Sequence, residues 1–246
     1  MIRKLINIAK NNYFLSPLYR FARKLYLVYL VEMSRLRLRI YGLGMLRDVH
    51  KAFLERGVRY FVDYGTLLGV VREKHFIRHD NDIDISVFAD SVTAVELIDI
   101  MKSKGFLFFR ALEYNGVITE IVFCRSKVHF DVFFQFCEGD RQWGQGAITE
   151  IEVVNGVSKS VKKGKRRYRS RVNECKEVPF MGIGVMMPNN YDELLSQSYG
   201  NDWMTPKIDY ITTSDDATRQ YIRIVPGVVH QVDEKSIRMM FSQHEL

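Results

Sequence analysis

This chain has no apolar run long enough to cross a bilayer, few prolines, and too few cysteines for a disulfide framework. A spanning helix needs about 20 mostly apolar residues. In the N-terminal segment the longest uncharged stretch is Asn11 to Tyr19, and the most apolar is Leu25 to Val31. No small-residue cleavage site follows an apolar core there, so a secretory signal is not expected. Five prolines among 246 residues argue against long disordered linkers. The three cysteines, Cys124, Cys137 and Cys175, are odd in number and share no metal-ligand spacing. They are expected as buried or incidental thiols in a reducing compartment, which makes the chain cytoplasmic. Excess charge is also missing from most of the sequence. Residues 1–50 hold ten Lys and Arg against Glu32 and Asp48, or +8 of a whole-chain +7, so the remainder sums to −1. Basic charge alone does not exclude nucleic acid, but nucleic acid is not the expected partner.

What is present is a folded chain. The hydrophobic fraction of 47% supplies a core for one catalytic domain. The expected division is a basic amphipathic helical arm over 1–44, a catalytic domain over 45–210 and a C-terminal extension over 211–246. Two readings of the arm stay open: a helix lying on an anionic cytoplasmic leaflet, and helices packed on the domain with a solvated basic face. Helical periodicity covers 15–40 and 45–56, with a break at Gly42 and Gly44. Tyr60–Val62 reads as a short strand, and Thr66 as the cap of a helix through Val71. Asp82–Val87 alternates acidic and apolar residues, a half-buried strand. A helix from Ser91 to Lys104 follows, then strands at 106–111, 117–124 and 128–136. Asn155-Gly156 between apolar runs 150–154 and 157–161 signals a hairpin. The basic run 159–171 reads as a solvated loop, or as a contact for an anionic acceptor or membrane. Asn190 and Glu193 form an approximate capping box for a helix ending at Gly200. This order makes the fold α+β: a small mixed sheet flanked by helices.

The chemistry-bearing residues lie on those strands. Side chains two apart on a strand share a face, so Asp82 and Asp84 present two carboxylates together while Ile83 and Ile85 enter the core. Adjacent carboxylates repel and call for a cation; hard oxygen ligands suit Mg²⁺ or Mn²⁺. A third acid, Asp131, sits on another strand and completes a metal site if the two strands pair; Asp80 has the spacing to face the same way. Upstream, Gly65 and Thr66 stand at a strand-to-helix turn, where backbone N–H groups meet anions. Arg72, Lys74 and Arg78 follow, enough positive charge to neutralise a diphosphate. A lone D-x-D is weak. The ordered set of Gly-Thr, Arg, D-x-D, helix and a further strand Asp is far more specific.

At these residues the sequence resembles the LicD family, which also includes fukutin and the fukutin-related protein. The stretch DYGTLLGVVREKHFIRHDNDIDI, Asp63 to Ile85, is similar to its signature, and Tyr199-Gly200-Asn201-Asp202-Trp203-Met204-Thr205-Pro206 to a second motif. The resemblance covers about 45–210. It implies a DNA polymerase β-like nucleotidyltransferase fold and transfer of phosphocholine, or of a polyol phosphate such as ribitol phosphate, from a CDP-activated donor to a glycan hydroxyl. By position it implies Asp82 and Asp84 as the metal pair, Asp131 as the third acid, and Gly65, Thr66 and Arg72 at the donor phosphates. Arg78-His79 stand where the family has Pro-Trp, and Asn81 replaces the middle acid of its triplet, so these positions bear on substrate choice.

The expected activity is therefore metal-dependent phosphotransfer from a CDP-linked donor to a glycan, free or lipid-linked, with release of CMP. Asp131, then Asp80, is the candidate base. Three alternatives stand beside it: a D-x-D glycosyltransferase using a nucleotide sugar, an NMP-adding nucleotidyltransferase, and a non-catalytic protein using its basic arm.

Overall fold

The computed structural model of the protein describes residues 15–154, 157–206 and 223–242. It opens on one long helix, α1 (Leu15–Arg56). Good helix formers dominate it, and Pro17 lies in the first turn, where proline is tolerated. The break expected at Gly42 and Gly44 is not there: α1 is continuous through both. Gly42 is a packing notch instead. A Cβ there would lie 2.8 Å from Leu38 Cδ1 and 3.2 Å from Phe76 Cε2, so only glycine lets the Phe76 ring close on the helix. That contact offsets the roughly 0.5–1 kcal/mol that a mid-helix glycine costs.

The second half of α1 buries Leu38, Met45, Leu46, Val49 and Phe53 in the main core. Its first half differs. Residues 20–32 are all exposed, and at about 3.6 residues per turn Leu25 through Val31 present apolar side chains in every direction.

The sheet follows. Strands β1 (Tyr60–Val62), β2 (Asp82–Phe88), β3 (Leu107–Tyr114), β4 (Val117–Arg125), β5 (Val128–Glu138), β6 (Arg141–Val154), β7 (Val157–Ser170) and β10 (Arg223–Val232) form one sheet in the order β1-β2-β5-β4-β3-β10-β7-β6. Every pairing is antiparallel except β2 with β5, which makes the sheet mixed, as expected. β6 also pairs with the end of β5, so the ladder closes on itself. A separate hairpin, β8 (Cys175–Phe180) and β9 (Ile183–Pro188), packs beside β1 and α1.

Strand alternation sorts the two faces. Ile83, Ile85 and Val87 of β2 and Phe130 and Val132 of β5 are fully buried against α1 and helix α3 (Ala94–Ser103). Each such side chain contributes about 1.5–3 kcal/mol by leaving water. α3 carries a full capping box, with Thr93 and Glu96 bonding each other's backbone N–H. Helix α4 (Tyr191–Tyr199) begins at Asn190 without the expected box. The Asn190 side-chain amide donates to the Arg171 carbonyl instead, at 3.1 Å. Gly200, with φ of 91°, ends α4.

The basic run is not a loop. Residues 159–170 lie in β7, a strand paired with β6 on one side and β10 on the other. Asn155-Gly156 falls outside the described residues; the strands flanking it stay paired to Val154 and Val157. β10, which no sequence pattern placed, inserts between β3 and β7, and α5 (Glu234–Ser242) packs against α3 through Lys102–Glu234 and Arg238–Asp99 ion pairs.

Candidate active site

The site forms where β2 and β5 run parallel. Their register places Asp84 directly beside Asp131, and Asp82 beside His129. With Ile83 and Phe130 turned to the core, all three acids share the opposite face. One oxygen each of Asp82, Asp84 and Asp131 lie within 4.8 Å of one another.

The start of helix α2 (Tyr64–Leu68) sits over these acids. Its N-cap is Asp63, not the expected Thr66: the Asp63 carboxylate accepts from Tyr64 N–H at 2.8 Å. Thr66 lies inside the helix, where its hydroxyl accepts the Asp84 backbone N–H at 2.9 Å. Gly65 N–H donates to Asp84 Oδ2 at 3.3 Å. A Cβ on Gly65 would fall 2.8 Å from Asp80 Oδ2, so the Asp80 side chain would have to shift, and 3.4 Å from Asp84 Oδ2, an ordinary contact. The turn and the strand are thus bound to each other through Asp84.

Asp63 itself is almost wholly buried. It takes a two-pronged contact from Arg169 of β7, Nη1–Oδ1 at 2.9 Å and Nη2–Oδ2 at 2.5 Å, and an O–H bond from Ser86 at 2.6 Å. Burial pushes its pKa up, but the Arg169 charge and hydrogen bonds, with Ser86 and Tyr64 N–H, hold it below the usual range. Gln135 Nε2 extends the network to Ser86 Oγ at 3.0 Å. Arg169 belongs to the run whose composition reads as a solvated loop, yet it is buried here. No local signal joins residues so far apart in the chain.

After α2 the chain makes a π-helical turn, Gly69–Glu73, that ends on Lys74 at φ of 60°. Arg72 is held there by Glu73 at 2.8 Å and by the Trp203 carbonyl at 2.8 Å. Trp203 is buried and bonds Asp192 through its indole N–H, so its part is to fix Arg72 in place. Lys74 and Arg78 are exposed, and neither forms an ion pair among the described residues. The Arg78 and His79 carbonyls accept from Arg39 and Arg35 of α1, which anchors the long helix beside the site.

The electrostatics are those of crowded, unneutralised acids. Burial, then the charges of Asp82, Asp131, Asp80 and Asp63, push Asp84 well above the carboxylate range. Burial, then Glu120 and Asp82, push Asp131 the same way, with Arg110 opposing. Burial raises Asp82 against the pull of His129. Asp80 is pushed up to about 7 by burial and Asp82, against Arg72 and Arg35. Asp131 Oδ1 is buried and accepts no hydrogen bond. An orphaned oxygen amid acids that repel one another fits a divalent cation, and the all-oxygen donor set suits Mg²⁺ or Mn²⁺.

Residues 57–190 match the family described as LicD/FKTN/FKRP, nucleotidyltransferase domain. The chain belongs to the LicD family. Among curated proteins, the chain is 29% identical over 98 residues to an uncharacterized protein of Rickettsia typhi, covering 39% of this chain and 29% of that protein. It is 26% identical over 72 residues to another of Rickettsia prowazekii, covering 29% and 27%. The match thus spans less than a third of either relative's length. Among solved structures, the antibiotic-resistance factor ANT(2″)-Ia in solution aligns with TM-score 0.43 and 12% identity, over 83% of this chain and 84% of that one. ANT(2″)-Ia in complex with adenylyl-2″-tobramycin aligns with TM-score 0.40 and 15% identity, over 68% and 78%.

Proposed function

We propose that this LicD-family protein moves phosphocholine, or a polyol phosphate such as ribitol or glycerol phosphate, from a CDP-linked donor to a hydroxyl of a cell-surface glycan, with CMP leaving. The observation that carries this reading is the convergence of Asp82, Asp84 and Asp131 within 4.8 Å beneath the Gly65–Thr66 turn. Asp82, Asp84 and Asp131 would hold a Mg²⁺ or Mn²⁺ ion, which would supply charge neutralisation to the diphosphate and the transferring group. The chain's own residues do the rest. Gly65 and Thr66 bound the donor phosphates and lock Asp84 to the turn. Arg72, fixed by Glu73 and Trp203, and the exposed Lys74 and Arg78 supply positive charge on the diphosphate side. Asp131 is the first candidate to accept the proton of the attacking hydroxyl, and Asp80 the second. Phosphoryl transfer depends mainly on positioning and electrostatics, so these fixed contacts are the main contribution the protein makes.

The test is the leaving group. Purified full-length protein with Mg²⁺ or Mn²⁺ is offered CDP-choline, CDP-ethanolamine, CDP-glycerol, CDP-ribitol, UDP-sugars and nucleoside triphosphates. CMP is the expected product; UDP from the UDP-sugars would support a glycosyltransferase, and pyrophosphate from the triphosphates an NMP-adding enzyme. A second arm addresses location. No helix among the described residues is long and apolar enough to span a membrane. The all-round exposed Leu25–Val31 segment, flanked by Arg20, Arg23, Lys24, Arg35, Arg37 and Arg39, suits peripheral attachment to the anionic inner face. Flotation with anionic liposomes should recover the full chain and not a chain lacking 1–32. Equal recovery would sink the attachment.

A further inference from the structure

β3 carries an irregularity beside the acids. Its register with β4 runs Leu107 to Cys124 and Phe108 to Phe123, then jumps to Arg110 opposite Val122. Phe109 is the extra residue of a β-bulge. In an unbroken strand Arg110 would face Ile121 and point into the core. The bulge turns it to the side of Val122, whose partner across β5 is Asp131. Phe109 keeps that same side: its ring centroid is 4.7 Å from that of His129, which stands in register with Asp82. Phe109 is 55% exposed and Leu107 70%. β10 joins β3 only from Ala111 to Tyr114, so among the described residues no strand covers this end. Arg110 Nη2 meets Glu120 Oε1 at 3.0 Å, and Glu120 is close enough to Asp131 to raise its pKa.

Position decides what such a patch binds. The sheet order β1-β2-β5-β4-β3 puts the acids between two flanks: the Gly65–Thr66 turn after β1, and the bulge on β3. In an in-line displacement the entering and leaving oxygens lie on opposite sides of phosphorus. With the donor diphosphate on the turn, as the proposed function has it, the entering hydroxyl comes from the β4–β3 flank. We propose that Phe109, Arg110 and Glu120 form the acceptor subsite and that it takes an uncharged pyranose ring. A pyranose has an apolar C–H face that lies on an exposed aromatic ring, and hydroxyls that both donate and accept. Arg110 supplies N–H donors and Glu120 carboxylate acceptors at the ring's edge. The Glu120 carboxylate, which lies outside the metal-binding set, disfavours a phosphorylated or carboxylated sugar at this position. The bulge is what brings the aromatic shelf and the charged pair onto one face.

The experiment is ligand-observed NMR titration of the full chain in Mg²⁺, with methyl glycosides of glucose, galactose, mannose and N-acetylglucosamine on one arm and CMP on the other. At least one glycoside should bind the native protein. Phe109→Ala should weaken it about fivefold or more, the worth of one aromatic contact. Phe109→Tyr, which keeps the ring, should retain it, and Glu120→Gln should weaken it, with melting curves confirming that each variant folds. CMP should bind all variants alike. Weaker CMP binding in Phe109→Ala would make the shelf a nucleobase stack and overturn the proposal. So would glycoside binding indifferent to both positions, or no glycoside binding at all. A native protein that binds glycosides but not CMP would remove the donor reading and leave this subsite standing.

Discussion

At the scale of single residues, the site depends on what is absent from Gly65 as much as on what the acids present. The 2.8 Å that would separate a Gly65 Cβ from Asp80 Oδ2 leaves no room for alanine without moving the acid or the turn. Gly65→Ala should therefore fold, since Gly65 occupies an ordinary helical position, yet lower donor turnover on the order of tenfold to a hundredfold by displacing Asp80 and crowding Asp84. Steady-state kinetics beside a melting curve checks this; full activity would show that the turn does not set the acids' placement. The carboxylates themselves were readable from sequence, because strand alternation alone puts Asp82 and Asp84 on one face. What alternation does not reveal is Phe109 and Arg110 sharing a face, since a bulge breaks the period of two without changing the residues. Nor did composition distinguish Arg169 from the lysines and arginines around it.

At the scale of elements, the Gly65–Thr66 turn and the long β6–β7 hairpin are joined through the buried Arg169. Asp63 caps α2 and receives Arg169 from β7, and both side chains are almost fully excluded from solvent. Removing one partner strands the other's charge. Arg169→Met should destabilise the protein by about 3–5 kcal/mol, and adding Asp63→Asn to it should restore part of that loss. Denaturant melts of the two variants test the coupling; a single variant as stable as the native chain would contradict it. Element types were largely legible: β1 to β5, α3 and α4 sit close to where periodicity puts them. The misses share a cause. Gly42 reads as a helix stop, but its partner Phe76 arrives from a distant segment. The run 159–171 reads as loop, but β6 and β10 pair with it on both sides. In each case tertiary contact overrides local preference.

At the scale of the whole molecule, the fold holds at least four acids, Asp80, Asp82, Asp84 and Asp131, in mutual repulsion on one face, and this has a consequence for stability. Their pKa values are raised in the folded state, Asp80 to about 7 from an ordinary 3.8. Between the two values the folded protein holds more protons than the unfolded chain, so stability falls as pH rises through that window. Metal-stripped protein should melt at progressively lower temperature as pH rises from about 4 to about 7, and Mg²⁺ or Mn²⁺ should flatten the slope by binding the folded state. A flat profile in chelator would show that the acids do not repel as their placement implies. The most direct measurement of the central claim is Mn²⁺ titration followed by electron paramagnetic resonance, on the native chain, Asp84→Asn and Asp131→Asn. The native protein should bind Mn²⁺, with Mg²⁺ competing, and each variant should lose at least about tenfold in affinity while keeping its fold. Unaltered Mn²⁺ binding in folded Asp84→Asn and Asp131→Asn would contradict the assignment of these acids as the metal centre.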